Sequence, residues 1–186
     1  MRMKTMLRVL PALALLAFAP AAAAQETPEQ VLRRYYDTFR TGDYAANAAL
    51  MHPEALEDMR EMLVGLTSVP GATDDPEFQE MFGVRNADEL RALAATEVFA
   101  RMLRSQLDNA DMREILTNAQ VTVLGHVMEG DSTAHVVYRM KMNFQGIEMD
   151  QVQVAPLKRA DGEWRVLLTG SLAGMMGSMP TPPNRD

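Results

Sequence analysis

The sequence predicts an α+β fold, with N-terminal helices packed on a curved antiparallel sheet, and three observations point to it. From Gln120 to Thr169 four runs alternate with period two, separated by short turn signals at Gly130-Asp131, Gln145-Gly146 and Asp161-Gly162, which is the pattern of an antiparallel meander. The preceding half repeats its apolar residues at helical spacing between capping residues and Pro or Gly breaks. The strands also have two chemically different faces, so the sheet needs a helical layer on one side.

The chain opens with Arg2, Lys4 and Arg8, an apolar run from Val9 to Pro20 and the small-residue tract Ala21 to Ala24. A basic start, a short apolar core and an Ala22-Xaa-Ala24 pattern predict a secretory signal peptide cut after Ala24, and so an exported, periplasmic or secreted protein beginning at Gln25. The core is shorter than the roughly 20 residues of a spanning helix and Pro11 interrupts it, so no membrane attachment is expected after cleavage. The chain carries 18 basic and 25 acidic residues, a net charge of −7. Such acidity argues against nucleic acid and anionic membranes as partners. With no cysteine, neither a disulfide, a thiol nucleophile nor a thiolate metal site is available. Residues 25–172 are expected to form one domain, long enough to bury a substantial core.

Pro28 to Phe39 places Val31, Leu32, Tyr35, Tyr36 and Phe39 on one helical stripe, with Thr27 as N-cap and Pro28 at the first position. Thr41-Gly42 ends that helix, and Asp43 caps a second one running to about Met51. His52-Pro53 breaks the chain before a third helix, in which Leu56, Met59, Met62, Leu63 and Leu66 recur inward. Val69 to Phe82, rich in Pro, Gly and Asp, reads as an exposed loop. Asn86 followed by Glu89 opens a long helix with Leu90, Leu93, Ala94, Val98, Met102 and Leu107 inward. Residues 173–186 read as a flexible tail rich in Met and Pro.

A two-residue turn at Gln145-Gly146 sets Phe144 opposite Ile147, Met142 opposite Met149, Met140 opposite Gln151 and Tyr138 opposite Gln153, with Lys141 facing Asp150 and Asn143 facing Glu148. One side then holds Ala134, Val136, Tyr138, Met140, Met142 and Phe144, and the other Thr133, His135, Arg139, Lys141 and Asn143. A one-residue slip would bury Arg139 and Lys141, each costing several kcal/mol if unpaired, so the register is well determined.

The opening from Val31 through Tyr44, Val-Leu-Arg-Arg-Tyr-Tyr-Asp-Thr-Phe-Arg-Thr-Gly-Asp-Tyr, followed by Leu50-Met51-His52-Pro53, resembles the start of the nuclear transport factor 2-like superfamily, with its polyketide-cyclase-type and ketosteroid-isomerase-type domains. Gly162-Glu163-Trp164-Arg165-Val166 is similar to that family's closing strands. The resemblance implies an α+β cone, open where sheet and helices diverge. It speaks to fold more than to activity, because this fold hosts enzymes, binding modules and assembly domains alike.

The family's enzymes resemble one another in setting a carboxylate or histidine, often with an acidic or phenolic donor, into the cone. The inner face here offers Tyr138, Gln151 and Gln153 as its polar groups. His52 and Tyr138 are the candidate catalytic residues; the alternative for His52 is a capping or surface histidine. Tyr36, Tyr138, Met140, Met142, Gln151 and Gln153 are the candidate ligand-binding residues. His126 and His135 fall opposite each other on the outer face if Gly130-Asp131 is the turn, but two imidazoles make no metal site. Met175, Met176 and Met179, among 16 methionines, could hold cuprous ion, although Met more often fills cores and flexible tails. Arg101 and Arg104 could receive an anion or simply be solvated. No phosphate loop or nucleophile elbow is present; neither a metal nor a cofactor is expected.

The leading expectation is noncatalytic binding of a small apolar or amphipathic molecule in the cone. An isomerase, cyclase or hydrolase using the same cavity is the alternative, and a structural domain with a filled cone is a third. A homodimer through the outer sheet face is the expected protein partner.

Overall fold

A computed structural model describes residues 25–67, 69, 71–144 and 146–168. The predicted signal peptide and the Met-rich tail lie outside the described residues. The first helix, α1 (Pro28–Thr41), opens on a capping box: Thr27 accepts from the Gln30 amide, and the Gln30 side chain accepts from the Thr27 N–H at 2.8 Å. Two of the helix's orphan donors are thereby satisfied. Gly42 ends it at φ 70°, a left-handed geometry suited to glycine. Asp43 then caps α2 (Tyr44–Ala49). The fully buried Asn47 fastens the two helices, donating to the Tyr35 carbonyl at 3.1 Å and to Thr38 Oγ1 at 2.8 Å.

Helix α3 (Pro53–Leu66) buries Leu56, Met59 and Leu63 as expected, but Met62 and Leu66 are exposed. The stretch expected to be a loop is partly helical: a 3₁₀ turn at Ala72–Asp74 precedes α4 (Pro76–Phe82). Asp75 caps that helix through the Glu77 amide, and Phe82 is buried. Asp75-Pro76, which falls within the expected loop, here serves as N-cap and first helical residue.

The long helix expected after Asn86 is two helices, α5 (Ala87–Ala92) and α6 (Ala95–Leu107). Leu93 and Ala94 are extended between them, and the Arg60 guanidinium donates to the Leu93 carbonyl at 3.3 Å. Both residues favour helix, but packing overrides propensity: the break lets Leu90, Val98 and Phe99 all bury completely. A further helix, α7 (Ala110–Asn118), is capped by Asn109.

The sheet runs in the order β1 (Gln120–Glu129), β2 (Thr133–Phe144), β3 (Ile147–Ala160) and β4 (Glu163–Val166), antiparallel throughout. Together with the preceding helices it forms the predicted α+β architecture. The β2–β3 register is the expected one at every pair named above. Asp161 and Gly162 both take positive φ in the closing turn, the geometry that matches a two-residue hairpin to strand twist.

The β1–β2 connection differs from expectation. Glu129 pairs with Thr133, so three residues, Gly130 to Ser132, form the loop, and His126 faces Val136 while Val127 faces His135. The two histidines therefore occupy opposite faces. A second shift between Val123 and Gly125 inserts Leu124 as a bulge, which returns Val121 and Val123 to the helix side. On its outer edge β4 meets Met51 in a parallel bridge, with the Val166 amide donating to the Leu50 carbonyl and the His52 amide to the Val166 carbonyl, both at 2.8 Å.

Candidate functional site

Tyr36 stands on the face of α1 directed at the sheet, and Tyr138 rises to meet it from the inner face of β2. Their rings lie 5.2 Å apart and the Tyr36 hydroxyl donates to the Tyr138 hydroxyl at 2.5 Å. Tyr138 donates in turn to Gln153 Oε1 at 2.6 Å, and Gln153 Nε2 donates to Gln151 Oε1 at 3.3 Å. Four of the six candidate ligand-binding residues thus form one hydrogen-bonded chain. It runs outward along β3, because residues two apart on a strand share a face. Tyr138 is buried, Gln153 is half-buried and Gln151 is exposed.

Met140 and Met142 continue the inner face beyond Tyr138, both half-buried. Met140 lies between Val121 and Gln151 in the register, and Met142 opposite Met149. Flexible thioethers here make an adaptable apolar surface beside the polar chain.

Burial pushes the Tyr36 phenol well above its ordinary value, reinforced by its hydrogen bond and proximity to Tyr138. The Tyr138 phenol is also raised by burial, although the hydrogen bond from Tyr36 works against that rise. Both hydroxyls therefore stay protonated near neutrality, and the chain offers neutral donors and acceptors that orient a ligand.

His52 lies elsewhere. Its backbone is bound to β4, it precedes α3 without a side-chain cap hydrogen bond, and its ring is buried with Nδ1 3.7 Å from Glu54 Oε2. It is buried and so not a surface histidine, and it occupies the N-cap position of α3 through its backbone alone, its carbonyl accepting from the Leu56 amide at 3.2 Å; it shares no partner with Tyr138 among the described residues. Glu54 also pairs with Lys158 at 3.0 Å, and that bond and charge hold its carboxyl below the usual range. His126 contacts Glu29 on α1, whereas His135 contacts Glu129. Burial would raise the Glu29 carboxyl, but hydrogen bonds from His126, its own backbone and Thr27 outweigh it and bring it below the ordinary value. No group of three His, Asp or Glu side chains suited to a metal occurs among the described residues.

A cleft of about 500 Å³ opens beside Tyr36, between Arg33, Tyr36, Asp37 and Arg40 of α1 and the 117–121 junction of α7 with β1. Sequence reasoning passed over Arg33. The available signal was its place three residues before Tyr36 on one helical face. A second cleft, of about 490 Å³, is lined in part by Glu97, Arg101 and Arg104. Arg101 is already engaged, by Glu97 at 2.5 Å and by the Phe82 carbonyl.

No helix among the described residues is long and apolar enough to cross a membrane. No protein-family model matches the chain, and no curated protein matches it. Among solved structures it is similar to an NTF-2-like protein of unknown function from Shewanella oneidensis MR-1, at 14% identity over 74% of this chain and 89% of that one, with a TM-score of 0.40. It is also similar to a SEC-C motif containing protein from Rhodopseudomonas palustris, at 16% identity over 76% of each chain, again with a TM-score of 0.40. At these values neither likeness carries an argument, and the α+β description rests on the observed order of helices and strands.

Proposed function

We propose that the domain binds a small amphipathic molecule at the inner face of its sheet and performs no chemistry on it. The observation that carries this reading is the chain Tyr36–Tyr138–Gln153–Gln151 beside Met140 and Met142. A few placed polar groups on an apolar wall suit recognition by shape and orientation. Phenols and amides that remain neutral fit a binding role better than proton transfer, which needs a group poised near the working pH. Export through the predicted signal peptide would place this activity outside the cytoplasm.

The test uses N-phenylnaphthylamine, a neutral probe whose fluorescence rises in apolar surroundings. The wild type should bind it saturably with one-to-one stoichiometry, and Met140→Lys should bind it far more weakly with unchanged circular dichroism. Gln153→Leu provides a second variant should the lysine disturb folding. Absence of saturable binding by the wild type overturns the reading.

The outer sheet face supports a homodimer as well. Val127, Val152 and Val154 are all exposed there, and burying them against a second copy would remove apolar surface from water. Sedimentation of the wild type beside Val154→Lys tests this: a monomeric wild type contradicts it.

A further inference from the structure

We infer that the cleft beside Tyr36 takes the acidic end of an organic anion, a carboxylate or sulfonate carried on an apolar body, with Arg33 as its charged anchor. This rests on reading the Tyr36–Tyr138 chain as a ligand site and adds the chemical class of the ligand. Arg33, Tyr36, Asp37 and Arg40 are spaced three, four and seven residues apart, which puts them on one face of α1. Together they form one wall of the cleft of about 500 Å³, a volume suited to a small molecule.

The neighbouring arginines are engaged. Arg34 pairs with Glu26 at 2.6 Å and Arg40 with Asp37 at 3.2 Å. Among the described residues no carboxylate pairs with Arg33. The α1 wall therefore holds two guanidiniums against one carboxylate, in a chain whose net charge is −7. Such a local reversal of sign draws an anion to this place on a molecule that otherwise repels it.

The opposite wall fits the same ligand. Asn118 and Gln120 carry side-chain amides that can donate to an acid group, while Ala119 and Val121 offer apolar surface. The last carbonyls of α7 disfavour an anion at that end, which assigns the charge to the Arg33 side. The guanidinium presents a planar fork that can grip two oxygens at once. Tyr36 belongs both to this cleft and to the polar chain, so a ligand held by Arg33 would lie against the ring whose hydroxyl leads to Tyr138.

Two probes with the same apolar body separate this inference from the reading beneath it: anilinonaphthalene sulfonate and neutral N-phenylnaphthylamine. The wild type should bind the sulfonate about tenfold more tightly than the neutral probe, as one partly solvated charge-assisted contact implies, and that preference should fade as salt is added. Arg33→Gln should abolish the preference and leave neutral-probe affinity intact. Arg34→Gln should change neither. A wild type that binds both probes equally, an Arg33→Gln protein that keeps the preference, or an equal loss in Arg34→Gln overturns the anion assignment while the binding reading stands. Failure of both probes to saturate overturns the two together.

Discussion

The two ends of the β2–β3 ribbon obey one alternation and meet different fates. Toward the Ser132 and Asp161 turns the helix-facing residues Ala134, Val136, Ala155 and Leu157 are all at most 3% exposed. Past Tyr138 the same face continues through Met140 and Met142, yet these are half-buried and Gln151 lies in solvent. Strand periodicity decides which side a residue takes. How deeply it is buried depends on the helices opposite, and they cover the ribbon unevenly. The hydrogen-bonded tyrosines mark the border between the two ends, where an apolar surface becomes available to something other than the protein's own core.

The covered end should be the more sensitive to substitution. Trp164 is buried on β4, with the Arg159 guanidinium 4.4 Å from its ring centre. Trp164→Ala should cost about 3–5 kcal/mol in denaturant unfolding, and the native fluorescence maximum should be blue-shifted from that of indole in water. A cost below about 1 kcal/mol would place the ring outside the core.

One substitution applied at two sites sharpens the contrast. Val136→Thr puts a hydroxyl into a fully buried position and should cost about 1–3 kcal/mol. At the exposed Val152, on the outer face, the same change should stay within about 0.5 kcal/mol. Equal costs would erase the distinction between the faces.

At the border, Tyr138→Phe removes the central hydroxyl from the chain and should cost about 1 kcal/mol, the net worth of an ordinary hydrogen bond. The same residues predict an alkaline effect. Because the folded phenols of Tyr36 and Tyr138 ionise later than those of the unfolded chain, their contribution is complete below the ordinary phenol value of about 10 and declines as pH rises beyond it. Urea midpoints from pH 9 to 11 should fall for the wild type and fall less steeply for Tyr138→Phe. Parallel slopes would show that this phenol is not protected.

The smallest effect belongs to Glu29, at the other end of α1. Its lowered carboxyl adds stability that is present above the ordinary glutamate value of about 4.3 and is lost as pH falls through the folded value. Glu29→Gln should therefore flatten the acid limb of the stability curve and change little near pH 10. A change confined to the alkaline limb would contradict the assignment.

The legible and illegible parts of the sequence divide along physical lines. Alternation and turn chemistry suffice for the β2–β3 register, since a slip would bury Arg139 and Lys141. The loop at Gly130 was less constrained. Two or three residues suit the same signal, and that single residue sends His126 to the helix side and leaves His135 on the other. The 71–118 stretch was hardest because its helix boundaries are set by distant partners: Arg60 satisfies the carbonyl at the Leu93 break, a contact no local pattern announces. At the candidate site, the face of Tyr138, Gln151 and Gln153 followed from strand period and Tyr36 from helical period. That the two hydroxyls would touch, and that Arg33 would border a cleft, depends on how α1 lies across the sheet.

The parallel bridge between Met51 and Val166 has a consequence for the order in which the chain assembles. β4 has four residues, and among the described residues its outer edge is completed by Leu50 to His52, more than half the sequence away. Closing so long a loop is entropically costly and gains little until both neighbours are in place. The expected path is that the β2–β3 hairpin forms early and this clasp late. A φ-value near zero at Val166 would bear that out, and one near 1 would reverse it. Late clasping also makes the C-terminal strand the place where kinetic stability can be added without slowing folding, because contacts made after the transition state act mainly on the unfolding rate.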